Sequence, residues 1–182
     1  MSRLVRKSTW ALLLAASLSC QTRTRAKVIT ASPWWLTARF QPTATDIQGL
    51  PLRQIDSSWT GALVLSPAVM PPEAAGYLAQ PAASSARFEL NGDFNGDGSA
   101  DRVLVGVYRN ADTVGRFMLV LARRGDKWER ADLLTMPSEA GFSVLTQRAD
   151  TIHWWMCMEC DDGFIIKWDG HHYSPIPADT VQ

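Results

Sequence analysis

Histidine and cysteine are scarce in this chain, three of each in 182 residues. That limits soft-ligand metal chemistry to one constellation, Cys157, Cys160, His171 and His172. A charge excess of one sign is missing as well. Eighteen basic residues meet eighteen acidic ones, so nothing resembles the basic surface that a phosphate backbone demands, and nucleic acid is not expected as a partner. There is no Gly-x-Ser-x-Gly elbow, no His-Glu-x-x-His and no phosphate-cradling glycine loop. Catalysis therefore has no motif to stand on, and the balance favours a non-enzymatic role. The apolar run Trp10 to Leu18 is nine residues long, well short of the roughly 20 that cross a bilayer as a helix.

That run has the features of an export signal. Arg3, Arg6 and Lys7 make a positive start without acids, the apolar stretch follows, and small residues Ser17 and Ser19 precede Cys20. Residues 1–20 are expected to be a signal peptide, leaving a periplasmic, membrane-anchored or secreted protein. Ser17-Leu18-Ser19-Cys20 resembles a bacterial lipoprotein cleavage site, which implies lipidation of Cys20 as the one link to a membrane. Ser17 stands where that pattern has an aliphatic residue, and ordinary cleavage near Ser17 or Ser19 is the alternative. Losing three basic residues and no acid leaves 15 basic against 18 acidic, a net charge of −3.

The most informative stretch is Asp93-Phe94-Asn95-Gly96-Asp97-Gly98-Ser99-Ala100-Asp101. Oxygen-bearing side chains alternate at Asp93, Asn95, Asp97 and Asp101, and the backbone carbonyl of Ser99 falls in the seventh position. Calcium takes roughly six to eight such oxygens, and Gly98 occupies the sixth position, where the chain must turn sharply. Thiols and imidazoles are absent from the loop, which suits a hard cation. The bland alternative is a polar turn that binds nothing, since Asp, Asn and Gly are all turn formers. A helix-loop-helix site would need Glu at the twelfth position, which is Leu104.

The flanks of the loop read as strands, and residues 91–105 resemble the FG-GAP and VCBS-type repeats of integrin alpha-subunit propellers. The resemblance implies a loop joining two antiparallel strands and a structural Ca2+ held by Asp93, Asn95, Asp97, Ser99 and Asp101. A propeller needs several blades, and only one such loop is present.

Residues 21–49 read as a tether and extended segment. Trp34 and Trp35 sit there on opposite faces of an extended chain, either packed on the domain or forming a docking patch. Residues 50–86 form an N-terminal subregion with short helices. Leu50 to Ile55 is read as a short strand, Ser57-Ser58 as an N-cap before Trp59 to Leu65, and Pro72 to Ala79 as a helix. Pro81 to Ser85 reads as a linker, with a boundary near residue 86.

From 87 to 177 the pattern is strands joined by short turns. Segments 87–90, 101–108, 117–122, 128–134, 142–146, 151–157, 164–168 and 173–176 suggest an antiparallel meander of about seven or eight strands. The fold class is mainly β, as a sandwich, an open barrel or blade-like sheets, and residues 178–182 form a tail. The strands 101–108 and 117–122 carry apolar residues on both faces and are expected at the centre of a covered sheet.

Cys157 and Cys160 follow a strand-like segment, which favours a disulfide closing a tight loop. A redox pair would want a helix N-terminus, and a zinc site would need adjacent His171 and His172 to reach one ion. Three functional readings stand. The first is an exported calcium-binding β protein that binds an unidentified protein or envelope ligand. The second is a redox or zinc-dependent accessory using Cys157 and Cys160. The third is a propeller-like blade that assembles with other chains.

Overall fold

The computed structural model describes residues 33–180. The expected signal peptide, Cys20, residues 21–32 of the expected tether and the last two residues of the expected tail lie outside the described residues. Among the described residues, no helix is long and apolar enough to cross a membrane.

The fold is mainly β, with short α-helices in the N-terminal part and a 3₁₀ turn over Ala178–Thr180 in the expected tail. The order is α1 (Trp34–Thr37), β1 (Asp46–Ile47), β2 (Leu50–Pro51), α2 (Leu52–Ile55), β3 (Gly61–Val64) and α3 (Pro72–Leu78). Then come β4 (Glu89–Gly92), β5 (Asp101–Arg109), β6 (Val114–Arg124), β7 (Lys127–Pro137), β8 (Val144–Arg148), β9 (Thr151–Cys157), β10 (Asp162–Trp168) and β11 (Tyr173–Pro177). All eight strands expected after residue 86 are present, with ends shifted by a few residues.

They divide between two antiparallel sheets and do not close into a barrel. One runs β3-β5-β6-β7, with β4 joining the same edge of β5 that β3 occupies. The other runs β11-β10-β9-β8. The inner faces of both sheets share one core, in which Val103, Val105, Met118 and Val120 meet Leu145, Ile152, Trp154 and Ile166. The opposite face of β5 and β6 carries Leu104, Tyr108, Phe117, Leu119 and Leu121. It packs against Ile47, Leu52, Ile55 and Trp59 of the N-terminal segment. That second cover explains why β5 and β6 are apolar on both faces.

Backbone and side-chain ties join the sheets. Arg87 and Leu145 exchange N–H···O bonds of 2.8 and 2.7 Å, stitching the approach to β4 onto β8. On β7 the register slips, Asp132 facing Val120 and Arg130 facing Leu121, so Ala131 bulges. The Asp132 carboxylate beside the bulge accepts the Tyr173 N–H of β11 at 2.6 Å.

The N-terminal half corrects several expectations. Trp34 and Trp35 lie on a helical turn, and both rings reach Tyr77, at centroid distances of 5.7 and 5.2 Å. They pack on the domain together, not on opposite faces of an extended chain. Leu50 to Ile55 is a strand only as far as Pro51. Leu52 and Ile55 are both buried, and their i, i+3 spacing puts them on one side of a helix but on opposite sides of a strand. Ser58 caps no helix, because its N–H and hydroxyl both bond the Asp56 carboxylate. The segment that follows is strand β3, with Trp59 stacked on Tyr108 at 4.9 Å and 7°. The expected helix at Pro72 forms as α3, while Pro81–Ala83 of the expected linker is a 3₁₀ turn. Within the subregion before residue 86, β3 pairs with β5 and so belongs to the first sheet.

Phe117 is fully buried where β6 meets the N-terminal cover. Phe117→Ala should destabilise the protein by about 3–5 kcal/mol. Gly106 lies beneath the Phe117 ring and the Leu63 carbonyl, with no room for a Cβ. Gly106→Ala should cost about 1–3 kcal/mol through overpacking. Urea unfolding of both variants reads these losses, and wild-type midpoints would contradict the packing described.

Candidate functional site

Gly92 ends β4 directly opposite Asp101, which starts β5, so the acidic loop caps an antiparallel pair. Phe94 anchors it. The ring is buried in the core between the sheets and lies against Gly92. Gly96 and Gly98 have φ of 75° and 80°, a left-handed backbone that glycine adopts freely.

The alternating side chains turn toward the loop's own backbone. Asp93 Oδ1 accepts the N–H of Gly96 at 2.7 Å and of Asp97 at 3.1 Å, and Oδ2 accepts that of Gly98 at 2.8 Å. Asn95 Oδ1 accepts the Asp97 N–H, and Asp97 Oδ1 accepts the Ser99 N–H at 2.8 Å. The Ser99 bond holds the Asp97 carboxyl below its ordinary pKa. Among the described residues, no three His, Cys, Asp or Glu side chains are gathered as a metal cage.

Asp101 differs from the others. It is 0% exposed. Its Oδ2 accepts the Phe94 N–H at 3.1 Å and the Tyr173 hydroxyl at 3.3 Å. Its Oδ1 is buried and accepts nothing. Burial pushes its pKa up, and the charges of Asp97 and Asp93 add to the rise. Tyr173 is pushed up as well, first by burial and then by the Asp101 charge. A buried carboxylate with one idle oxygen, beside a loop of oxygen donors only, suits a hard divalent cation.

Sequence spacing brings Asp93, Asn95, Asp97, Ser99 and Asp101 to one loop, but it gives no sign of Tyr173, 72 residues further on. Trp168, whose ring packs 4.9 Å from Tyr173, escapes it as well. Both lie on strands of the second sheet and reach the loop only through the fold.

Cys157 ends β9, and Cys160 lies in the turn before β10. Their Cα atoms are 5.4 Å apart, at disulfide-bonding distance. Neither cysteine stands at a helix N-terminus, where a thiolate would be stabilised. His171 and His172 occupy the turn at the far end of β10, their N–H groups bonded to Asp169 Oδ1 at 2.9 Å each. The cysteines and this histidine pair are thus separated by the length of a strand. His153 lies elsewhere, buried on β9 opposite Thr146, with Nδ1 unpartnered.

The fold and the loop define a class, a two-sheet mainly-β protein with one acidic Asp/Asn/Gly loop at a strand junction. No protein-family model, curated protein or solved structure matches the chain.

Two predictions follow from these contacts. Tyr173→Phe removes a donor from a buried carboxylate and should cost about 1–3 kcal/mol, read by urea unfolding; an unchanged midpoint would mean that the hydroxyl does not support Asp101. Burial, aided by the Arg148 charge, lowers the His153 pKa below 6.5. The unfolded chain therefore binds the proton first on acidification. The stability from keeping His153 neutral is complete above pH 6.5 and is lost as pH falls through the lower folded value. The pH profile of the melting temperature should flatten in this range for His153→Gln, and an unaltered slope would contradict the burial of this ring.

Proposed function

We propose that the chain is an exported, calcium-binding β protein whose ion is structural and whose role is binding at the cell envelope. Asp101 Oδ1, wholly buried and without a partner, carries this reading. An uncompensated buried carboxylate is costly. Calcium at the loop would offset that cost and draw on Asp93, Asn95, Asp97, the Ser99 carbonyl and Asp101, all of them oxygen donors. The resemblance to the FG-GAP and VCBS-type repeat supports the same ligands, and the antiparallel pairing of β4 with β5 around the loop agrees with it. Export rests on the sequence of residues 1–20, with Cys20 as the candidate lipid attachment point. The ion supplies no reaction here; it holds the loop, and through Asp101 and Tyr173 the loop holds β5 against β11.

Calorimetric titration of the full chain tests this reading. Wild type should bind calcium with a Kd of about 10⁻⁴–10⁻³ M, as extracellular modules do. Asp97→Ala should lose measurable binding. Ser99→Ala should keep it, because that position offers a backbone carbonyl. Equal affinity for wild type and Asp97→Ala would place any bound ion elsewhere and remove the reading.

A further inference from the structure

The tip of the acidic loop forms the rim of two adjoining clefts. One, of about 410 Å³, is lined by Asp93, Asn95, Asp150, Thr151, Lys167 and Trp168. The other, of about 450 Å³, reuses Asn95 and Trp168 and adds Asp97, Arg124, Glu129 and Arg130. Trp168 is therefore a shared wall, half-buried like Asn95 and Thr151, between the exposed Asp150 and Lys167 on one side and the exposed Arg124 and Glu129 on the other. Each volume falls within the range of small-ligand sites, about 300–1,000 Å³.

The chemistry of the walls selects the occupant. A phosphate chain is disfavoured, because carboxylates of Asp93, Asp150 and Glu129 stand among the cations. A peptide strand cannot add to β10, whose two edges are already paired with β9 and β11. An apolar ligand would leave the Asp150 carboxylate and the Lys167 ammonium unsolvated. A neutral sugar chain meets all three conditions. Its hydroxyls both donate and accept, matching Asp150, Lys167 and Thr151. The C–H face of a pyranose is apolar and slightly positive, and it suits the negative face of an indole.

We propose that these clefts form a binding site for a neutral saccharide chain, with Trp168 as its platform and the calcium loop as its rim. The inference rests on the calcium reading of the loop, because Asn95 is both a rim residue and a candidate calcium ligand. Calcium and saccharide should then strengthen one another's binding, since linkage between two sites is reciprocal.

The test is calorimetric titration of the full chain with cellohexaose and with maltohexaose, in millimolar calcium and in chelator. At least one oligomer should bind in calcium, and chelator should weaken it by about tenfold or more, the lower part of the usual range for coupled sites. Trp168→Ala should abolish binding. Because Trp168 also packs on Tyr173, the exposed pair Asp150→Ala and Lys167→Ala provides the independent check. Each should weaken binding by roughly tenfold, the loss expected for one hydrogen bond to a charged group, with melting unchanged. Calcium binding without affinity for either oligomer would overturn the saccharide site and leave the calcium loop standing. Neither calcium nor oligomer binding would bring down both. Oligomer binding that ignores the chelator or both exposed substitutions would overturn the placement of the site at the loop.

Discussion

The Asp101 carboxylate is the constraint on which the rest of the structure depends. It starts β5, the strand that carries β3, β4 and β6 on its two edges. One of its oxygens ties the acidic loop through the Phe94 N–H and the second sheet through the Tyr173 hydroxyl. Its other oxygen has no protein partner. A buried charge of this kind is tolerated only with compensation, and two donors on one oxygen supply part of it. The proposed calcium would supply the remainder. Loop, first sheet and second sheet would then respond together to the ion, which would give a small two-sheet domain a staple beyond its apolar core.

Around that point the two halves of the fold do different work. The second sheet, β8 to β11, is a local meander built by short turns, and its inner face closes the core. The N-terminal segment supplies the other cover. Ile47, Leu52, Ile55 and Trp59 seal the outer face of β5 and β6, and Trp34, with Tyr77 of α3, packs beside Phe142 at the margin of the inner core. The central strands are thus buried on both sides, leaving side-chain chemistry to the loops at their ends. The acidic loop, Asp150, Lys167 and Trp168 meet at one such end.

The sequence announces the β half well, because period-2 alternation and Gly/Asp turns are local signals. The double-sided apolar character of 103–108 and 117–122 even foretells a sheet covered on both faces. It does not foretell the division into two sheets, which depends on the Arg87–Leu145 bridge and on Asp132 meeting Tyr173, contacts 58 and 41 residues apart. The N-terminal half is less legible. Its elements are two to seven residues long, too short for any periodicity, and tertiary packing settles their conformation. Leu52 and Ile55 become helical because one buried site accepts both. The loop ligands can be read from their spacing, whereas Tyr173 and Trp168 cannot, since nothing in their own neighbourhood marks them as loop partners.

The most direct measurement is a thermal melt of the full chain, first in excess chelator and then in millimolar calcium. Millimolar calcium is about one to ten times the expected dissociation constant, for which linkage gives about 0.4–1.4 kcal/mol of added stability, an upward shift of about one to five degrees for a domain of this size. A rise on adding calcium that magnesium does not reproduce is the result this account requires. Superimposable melts in chelator and calcium would contradict it, leaving Asp101 compensated by Phe94 and Tyr173 alone and the acidic loop an ordinary turn.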